Sequence, residues 1–217
     1  ANQGLELSWA DVIAVAGAQA VESAGGPTIA VRLGRRDALD PPRPTPRDLS
    51  RTYGPPTSAL SRATVSRALP EAGLDADGLT NFYARVGLGA PEDIVALSGA
   101  HTLGRHVSLL GLEKEQSEFS RPCLKNLTRS CLDWGQQVPF VGGSVDRFTN
   151  AYFKTLLRWN SRELERGEAL FIPTDVVLVV NDKYRPYVEA FANDEERFFA
   201  AFAKAYGKLV EIGFACR

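Results

Sequence analysis

Apolar positions recur along most of this chain at the three- and four-residue spacing of a helix, not the alternation of a strand. Ser8 followed by Asp11 is a variant of the capping box. It opens a helix through Val12, Ile13, Val15, Ala16 and Ala20, which Gly25-Gly26-Pro27 ends. Ile29 to Leu33 is a short extended piece. Pro41, Pro42, Pro44 and Pro46 then mark a loop, and Gly54-Pro55-Pro56 repeats that signal. A helix from about Asp75 to Val86 puts Leu79, Phe82 and Tyr83 on one face.

Pro91-Glu92-Asp93 is a helix start, with proline in the first turn and acids at the positive end of the helix dipole. The pattern predicts helix to about Leu103, with Ile94, Leu97, Ser98 and His101 sharing a face. Residues Ser108 to Gly143 mix glycine, cysteine and both charges and read as a long irregular excursion. Helical pattern resumes from about Asp146 to Trp159, again from Thr174, and from Asp194 to Val210. In the last segment Phe198, Phe199, Phe202, Tyr206 and Leu209 form a wide apolar stripe, which is core packing. The expected architecture is one all-α domain over residues 1–217 with long loops.

Composition narrows the function classes. With 217 residues, 44% hydrophobic and 24% charged, and a formal net charge of -1, the chain lacks the signature of disorder. The same near-neutrality gives no reason to expect nucleic acid or an anionic membrane surface as a partner. The longest apolar run, Val176 to Val180, is far below the roughly 20 residues of a transmembrane segment. Three cysteines are too few for a disulfide scaffold. A start at Ala1-Asn2 with no methionine anywhere reads as a processed, trimmed or partial chain.

Histidine is the scarce resource, present only as His101 and His106. Five residues apart, the two rings diverge around a helix, whereas a zinc pair needs a spacing of four. A lone histidine on an apolar helix face is more often a packed core residue than a ligand. No local Ser-His-Asp, Cys-His or phosphate-loop motif competes with it.

The stretch Asp93-Ile94-Val95-Ala96-Leu97-Ser98-Gly99-Ala100-His101-Thr102-Leu103-Gly104-Arg105 resembles the proximal haem-ligand motif of plant-type haem peroxidases. It is most similar to the ascorbate and cytochrome c peroxidase branch. Further segments match in order: Gly25-Gly26-Pro27 through Leu33-Gly34-Arg35-Arg36-Asp37, Leu69-Pro70-Glu71-Ala72, Phe148 to Phe153, Pro173-Thr174-Asp175, and Ala192 to Phe199. The resemblance covers about residues 4 to 214 and agrees with the all-α reading.

That resemblance implies haem b, with His101 on the iron through one ring nitrogen and Asp175 accepting a hydrogen bond from the other. Such a carboxylate fixes the tautomer, raises the basicity of the ligand and favours O–O cleavage. Read without the resemblance, Asp175 is equally an acid at a helix N-terminus beside Thr174. Pro70, Leu97 and Ser98 fall where family members touch haem, Ser98 near a propionate. His106 lies one position before the family's propionate-binding histidine, where this chain has Val107, and it reads either as that group or as a surface residue.

Departures from the pattern matter as much. The family's distal Arg, aromatic and His sit on an early helix, and both histidines here follow the Ser8 helix. The expected fold thus lacks the N-terminal distal helices. Either an upstream segment supplies the group that moves the peroxide proton, or the standard mechanism is lost. Phe140 stands about where that branch has its proximal tryptophan, with Trp134 as a nearby substitute, and Arg129 does not align with the arginine associated with ascorbate. Thr102 matches one ligand of the family's proximal cation site, but Val141 and Thr149 do not supply the others. Asp146 is the only candidate to compensate, and no such metal is assigned. Cys123 and Cys131 could close a small loop or stand as two reduced thiols, Asn126-Leu127-Thr128 is formally a sequon, and Cys216 reads as free or engaged with another chain.

Two functions follow. The first is a haem peroxidase that reduces hydrogen peroxide with electrons from a small reductant or partner protein. The second is a catalytically degenerate peroxidase-like subunit of a thylakoid complex, with other protein subunits covering the distal side. The branch resembled suggests the chloroplast, stroma or thylakoid lumen, ahead of the mitochondrion.

Overall fold

The computed structural model describes residues 7–37, 74–107, 137–159 and 171–212. The proline-rich loop after residue 40, Pro70, Cys123, Asn126, Arg129, Cys131, Trp134 and Cys216 lie outside the described residues. Among the described residues the fold is helical. In chain order the helices are α1 (Trp9–Ser23), α2 (Ala76–Ala84), α3 (Pro91–Ser98), α4 (Ala151–Leu157), α5 (Pro173–Val180), α6 (Arg185–Asn193) and α7 (Glu195–Val210). A 3-10 turn, Gly99–Thr102, continues α3. No helix among the described residues is long and apolar enough to cross a membrane.

Ser8, read as a cap, and Asp75 and Asp194, read as helix starts, all cap their helices. Ser8 accepts from the Asp11 N–H, Asp75 from Gly78 and Asp194 from Arg197, each satisfying a donor that the first helical turn leaves open. Helix α1 ends in a Schellman arrangement, with Gly26 N–H on the Val21 carbonyl and Gly25 N–H on Glu22. Gly25 takes φ 91°, which a side chain would resist. A Cβ on Gly26 would fall 2.6 Å from the Phe148 ring, so the same turn seats α1 on the aromatic core.

Asp11 does not complete a capping box with Ser8. Its carboxylate turns inward and accepts from Gly34 N–H at 2.8 Å, Arg35 N–H at 3.2 Å and Arg35 Nη1 at 2.9 Å. Arg35 also donates to the Val210 carbonyl from Nε and Nη2. One carboxylate thereby ties α1, the extended segment and the end of α7 together.

The core is aromatic. Phe148, Phe153, Phe191, Phe198 and Phe202 are buried and pack ring to ring, with Phe148 at 5.3 Å from Phe198 and Phe153 at 4.9 Å. Each such side chain taken from water contributes about 1.5–3 kcal/mol. Asn150 locks this group from the side, donating its amide to the Phe191 and Ala192 carbonyls at 3.0 Å and its backbone N–H to Glu195. Lys208 on α7 reaches Asp93 on α3 at 2.6 Å.

Four expectations shift. Helix α3 stops at Ser98 instead of reaching Leu103, because the chain tightens where Gly99 lies against Phe198 and Phe153. Helix α4 starts at Ala151, not Asp146, since Asn150 commits its groups to α6 and α7. Leu209 is exposed, so the buried stripe of α7 is narrower than the apolar one. The expected excursion contains a strand: β2 (Gln137–Pro139) pairs antiparallel with β1 (Arg105–Val107), setting Arg105 opposite Pro139 and Val107 opposite Gln137. The face of α1 away from the core stays apolar and open, with Trp9 74% and Ile13 70% exposed.

The Gly34 amide and Arg35 hold the Asp11 carboxyl below its ordinary 3.8. A depressed carboxylate stabilises the fold at pH above its unfolded value, and that contribution disappears as pH falls through the folded one. Asp11→Asn should therefore lose more stability at pH 7 than at pH 2.5. Urea midpoints at the two pH values check this, and equal losses at both would contradict it.

Candidate active site

The site is assembled where the 3-10 turn, β2, α4 and α5 converge. Helix α3 and the Gly99–Thr102 turn carry His101. A Cβ on Gly99 would sit 2.4 Å from Phe198 Cε2 and 2.9 Å from Phe153 Cζ, so only glycine lets this turn lie flat on the aromatic core. Beyond it Gly104, at φ 72°, reverses the chain and donates to the Val145 carbonyl at 2.7 Å. The β1–β2 pairing then returns the chain so that Phe140, next after Pro139, covers the imidazole. The two rings are stacked at 3.9 Å and 6°.

On the opposite element Pro173 starts α5 and puts Asp175 in its first turn. The carboxylate is 1% exposed and its two oxygens have different tasks. Oδ2 accepts from the Ile172 backbone N–H at 3.0 Å, which caps the helix. Oδ1 accepts from His101 Nδ1 at 2.8 Å and from the Tyr152 hydroxyl at 2.6 Å. The two sequence readings of Asp175, helix-start acid and histidine partner, are thus both realised, one on each oxygen. A buried charge needs such compensation, because leaving it unpaired costs several kcal/mol.

Electrostatics follow from that geometry. Burial alone would lower the His101 pKa, but the charge and hydrogen bond of Asp175 outweigh it and raise the imidazole above its usual 6.5. The Tyr152 phenol is pushed well above its ordinary value, first by burial and then by Asp175, and stays a donor. With Nδ1 engaged, His101 keeps Nε2, which has no hydrogen-bond partner among the described residues. Its side chain is 32% exposed. A fixed imidazole with one nitrogen tied to a carboxylate and the other open suits a metal-ligand bond.

The remaining expected residues fare differently. Leu97 and Ser98 are half-buried, while Ile94 is fully buried, so the four-residue face is shared between core and surface. The Ser98 hydroxyl folds back onto the Ile94 carbonyl at 3.0 Å. His106 lies in β1, opposite Val138, and its side chain is outside the described residues, as is Pro70. The Thr102 hydroxyl is buried with no hydrogen-bond partner among the described residues. Among the described residues no group of three or more His, Cys, Asp or Glu side chains converges on a point. Tyr152 is the participant that sequence reasoning did not single out. Its signal is a phenol on the buried face of a helix, between Ala151 and Phe153, a position that demands a hydrogen-bond partner.

A family model described as peroxidase matches residues 1–194. The chain belongs to the peroxidase family. Relatives of the chain include a "Putative heme-binding peroxidase" of Cryptococcus neoformans, 34% identical over 95% of this chain and 54% of that protein. "L-ascorbate peroxidase 2, cytosolic" of Arabidopsis thaliana is 35% identical over 96% of this chain and 62% of its own length. "Probable L-ascorbate peroxidase 8, chloroplastic" of Oryza sativa is 32% identical over 95% of this chain and 37% of its length. The chain therefore spans about half the length of the curated relatives it matches. The names of the relatives lend no support to the thylakoid-subunit alternative, and they span cytosol, peroxisome and chloroplast, so membership does not single out a plastid.

Gly99→Ala should cost about 1–3 kcal/mol, the usual penalty of overpacking, and should displace the His101 turn. Thermal denaturation reads the first effect. The second should appear as a shifted His101 ring resonance by NMR, and an unperturbed resonance with full stability would refute the close packing.

Proposed function

We propose that this chain is the iron-ligating part of a haem peroxidase that reduces hydrogen peroxide with electrons from a small reductant. Ascorbate, named in the plant relatives, is the first candidate for that reductant. The observation that carries the reading is the 2.8 Å contact between His101 Nδ1 and a buried Asp175, with Nε2 left open. His101 would hold haem b through Nε2, with Leu97 and Ser98 against the porphyrin beside it and Pro70 and His106 as further contacts. When bound, haem supplies the redox chemistry of peroxide cleavage.

The chain's own residues prepare the ligand. Asp175 keeps the imidazole proton on Nδ1, so Nε2 presents a lone pair, and its negative charge makes that lone pair more basic. Phe140 covers one imidazole face and Tyr152 meets its edge at 5.6 Å, which keeps water from the Asp175 contact. Phe140 is harder to oxidise than the tryptophan expected near that place in the ascorbate and cytochrome c branch. Oxidising equivalents are accordingly not assigned to it. The proton transfer at peroxide is assigned to neither histidine of the chain.

A visible spectrum of the protein with added haem should show a Soret band that His101→Ala removes or shifts. A spectrum identical to that of free haem would end this reading. Asp175→Asn should slow peroxide cleavage roughly ten- to hundredfold while haem retention falls less. Rapid mixing with peroxide measures the first and haem transfer to an acceptor protein the second; equal losses would contradict the role given to the carboxylate.

A further inference from the structure

The Asp175 carboxylate is shared in a way that the His101 contact alone does not require. Its Oδ1 accepts two hydrogen bonds, from His101 Nδ1 at 2.8 Å and from the Tyr152 hydroxyl at 2.6 Å. Tyr152 is fully buried on α4, its ring at 89° to the imidazole and 5.0 Å from Phe153. That packing leaves the hydroxyl aimed at Oδ1. A neutral phenol 2.6 Å from a carboxylate oxygen lies in the short range of charge-assisted O–H···O⁻ bonds, which are about twice as strong as neutral ones. Two donors on one oxygen compete for the same negative charge, and what one withdraws the other does not receive.

We propose that Tyr152 is a positioning residue that limits how much of the Asp175 charge reaches His101, and so sets how strongly the imidazole donates to the iron. The inference rests on the haem reading above. It makes the proximal group a three-membered one, in which the carboxylate is a divider between a ligand and a phenol. Tyr152 touches neither peroxide nor reductant. Its effect passes through Oδ1 alone, and removing its hydroxyl preserves the ring that packs on His101 and Phe153.

The test uses the full chain loaded with haem and compares Tyr152, Tyr152→Phe and Tyr152→3-fluorotyrosine, the last a more acidic phenol and a stronger donor. Resonance Raman reads the iron–imidazole stretching band of the ferrous protein, and spectroelectrochemistry reads the ferric/ferrous midpoint potential. Tyr152→Phe should raise the stretching frequency and lower the potential, because His101 then receives the undivided charge. The fluorinated phenol should move both in the opposite direction from the wild type. A merely structural tyrosine would leave the band in place or shift it the same way in both variants, and either result overturns the proposal. A wild-type band that is present and lost in His101→Ala, yet insensitive to Tyr152, overturns this inference alone. Absence of that band in the wild type overturns it together with the reading on which it rests.

Discussion

A carboxylate removed from water is the constraint around which these helices are arranged. Asp175 is accommodated in the interior by three donors from separate parts of the chain: the Ile172 amide, the His101 imidazole and the Tyr152 phenol. Each donor requires its element to be where it is. The 3-10 turn must present Nδ1, α4 must be phased with Tyr152 inward, and α5 must begin at Pro173. Loss of one donor from such a group exposes the desolvation cost that the others were offsetting. The polar centre therefore gives direction to a core whose cohesion is otherwise apolar and not directional.

Beneath that centre lies a layer of rings whose job is to be thin in one place. Phe198 and Phe153 fill the space under Gly99, and the histidine turn rests on them without a side chain between. Phe140 closes the other side by stacking, delivered there by a strand pair of three residues. The ladder is too short to be stable alone, so its value is geometric. It converts a reversal at Gly104 into a fixed approach of Phe140 to the imidazole.

Local chemistry made much of the architecture legible from the sequence. Ser8 announces a helix start because a capping oxygen acts within three residues, and Asp75 and Asp194, placed as starts by periodicity, cap in the same way. Pro91 announces a start by its fixed φ, and α5 begins at Pro173, one residue before the expected Thr174. The pairing of His101 with Asp175 came from a resemblance and not from spacing, since 74 residues separate them. What stayed hidden depends on distant partners. Asp11 has the spacing of a capping box but spends its oxygens on Gly34 and Arg35, a choice made by tertiary packing. Asn150 delays the start of a helical pattern because its donors belong to α6 and to Glu195 of α7. The β1–β2 pairing and the Tyr152 hydroxyl bond are equally non-local, and no short window of sequence contains both halves of either.

One oxygen of Asp175 starts a helix while the other steadies the imidazole, and the two duties share one carboxylate. Helix ends are the first parts of a helix to fray, since their backbone donors have no partner within the helix. If the opening turn of α5 loosened, the Ile172 anchor would be released and the carboxylate could swing, unlatching the imidazole while the aromatic layer stayed intact. Warming would then blur the geometry of His101 before it melted the protein.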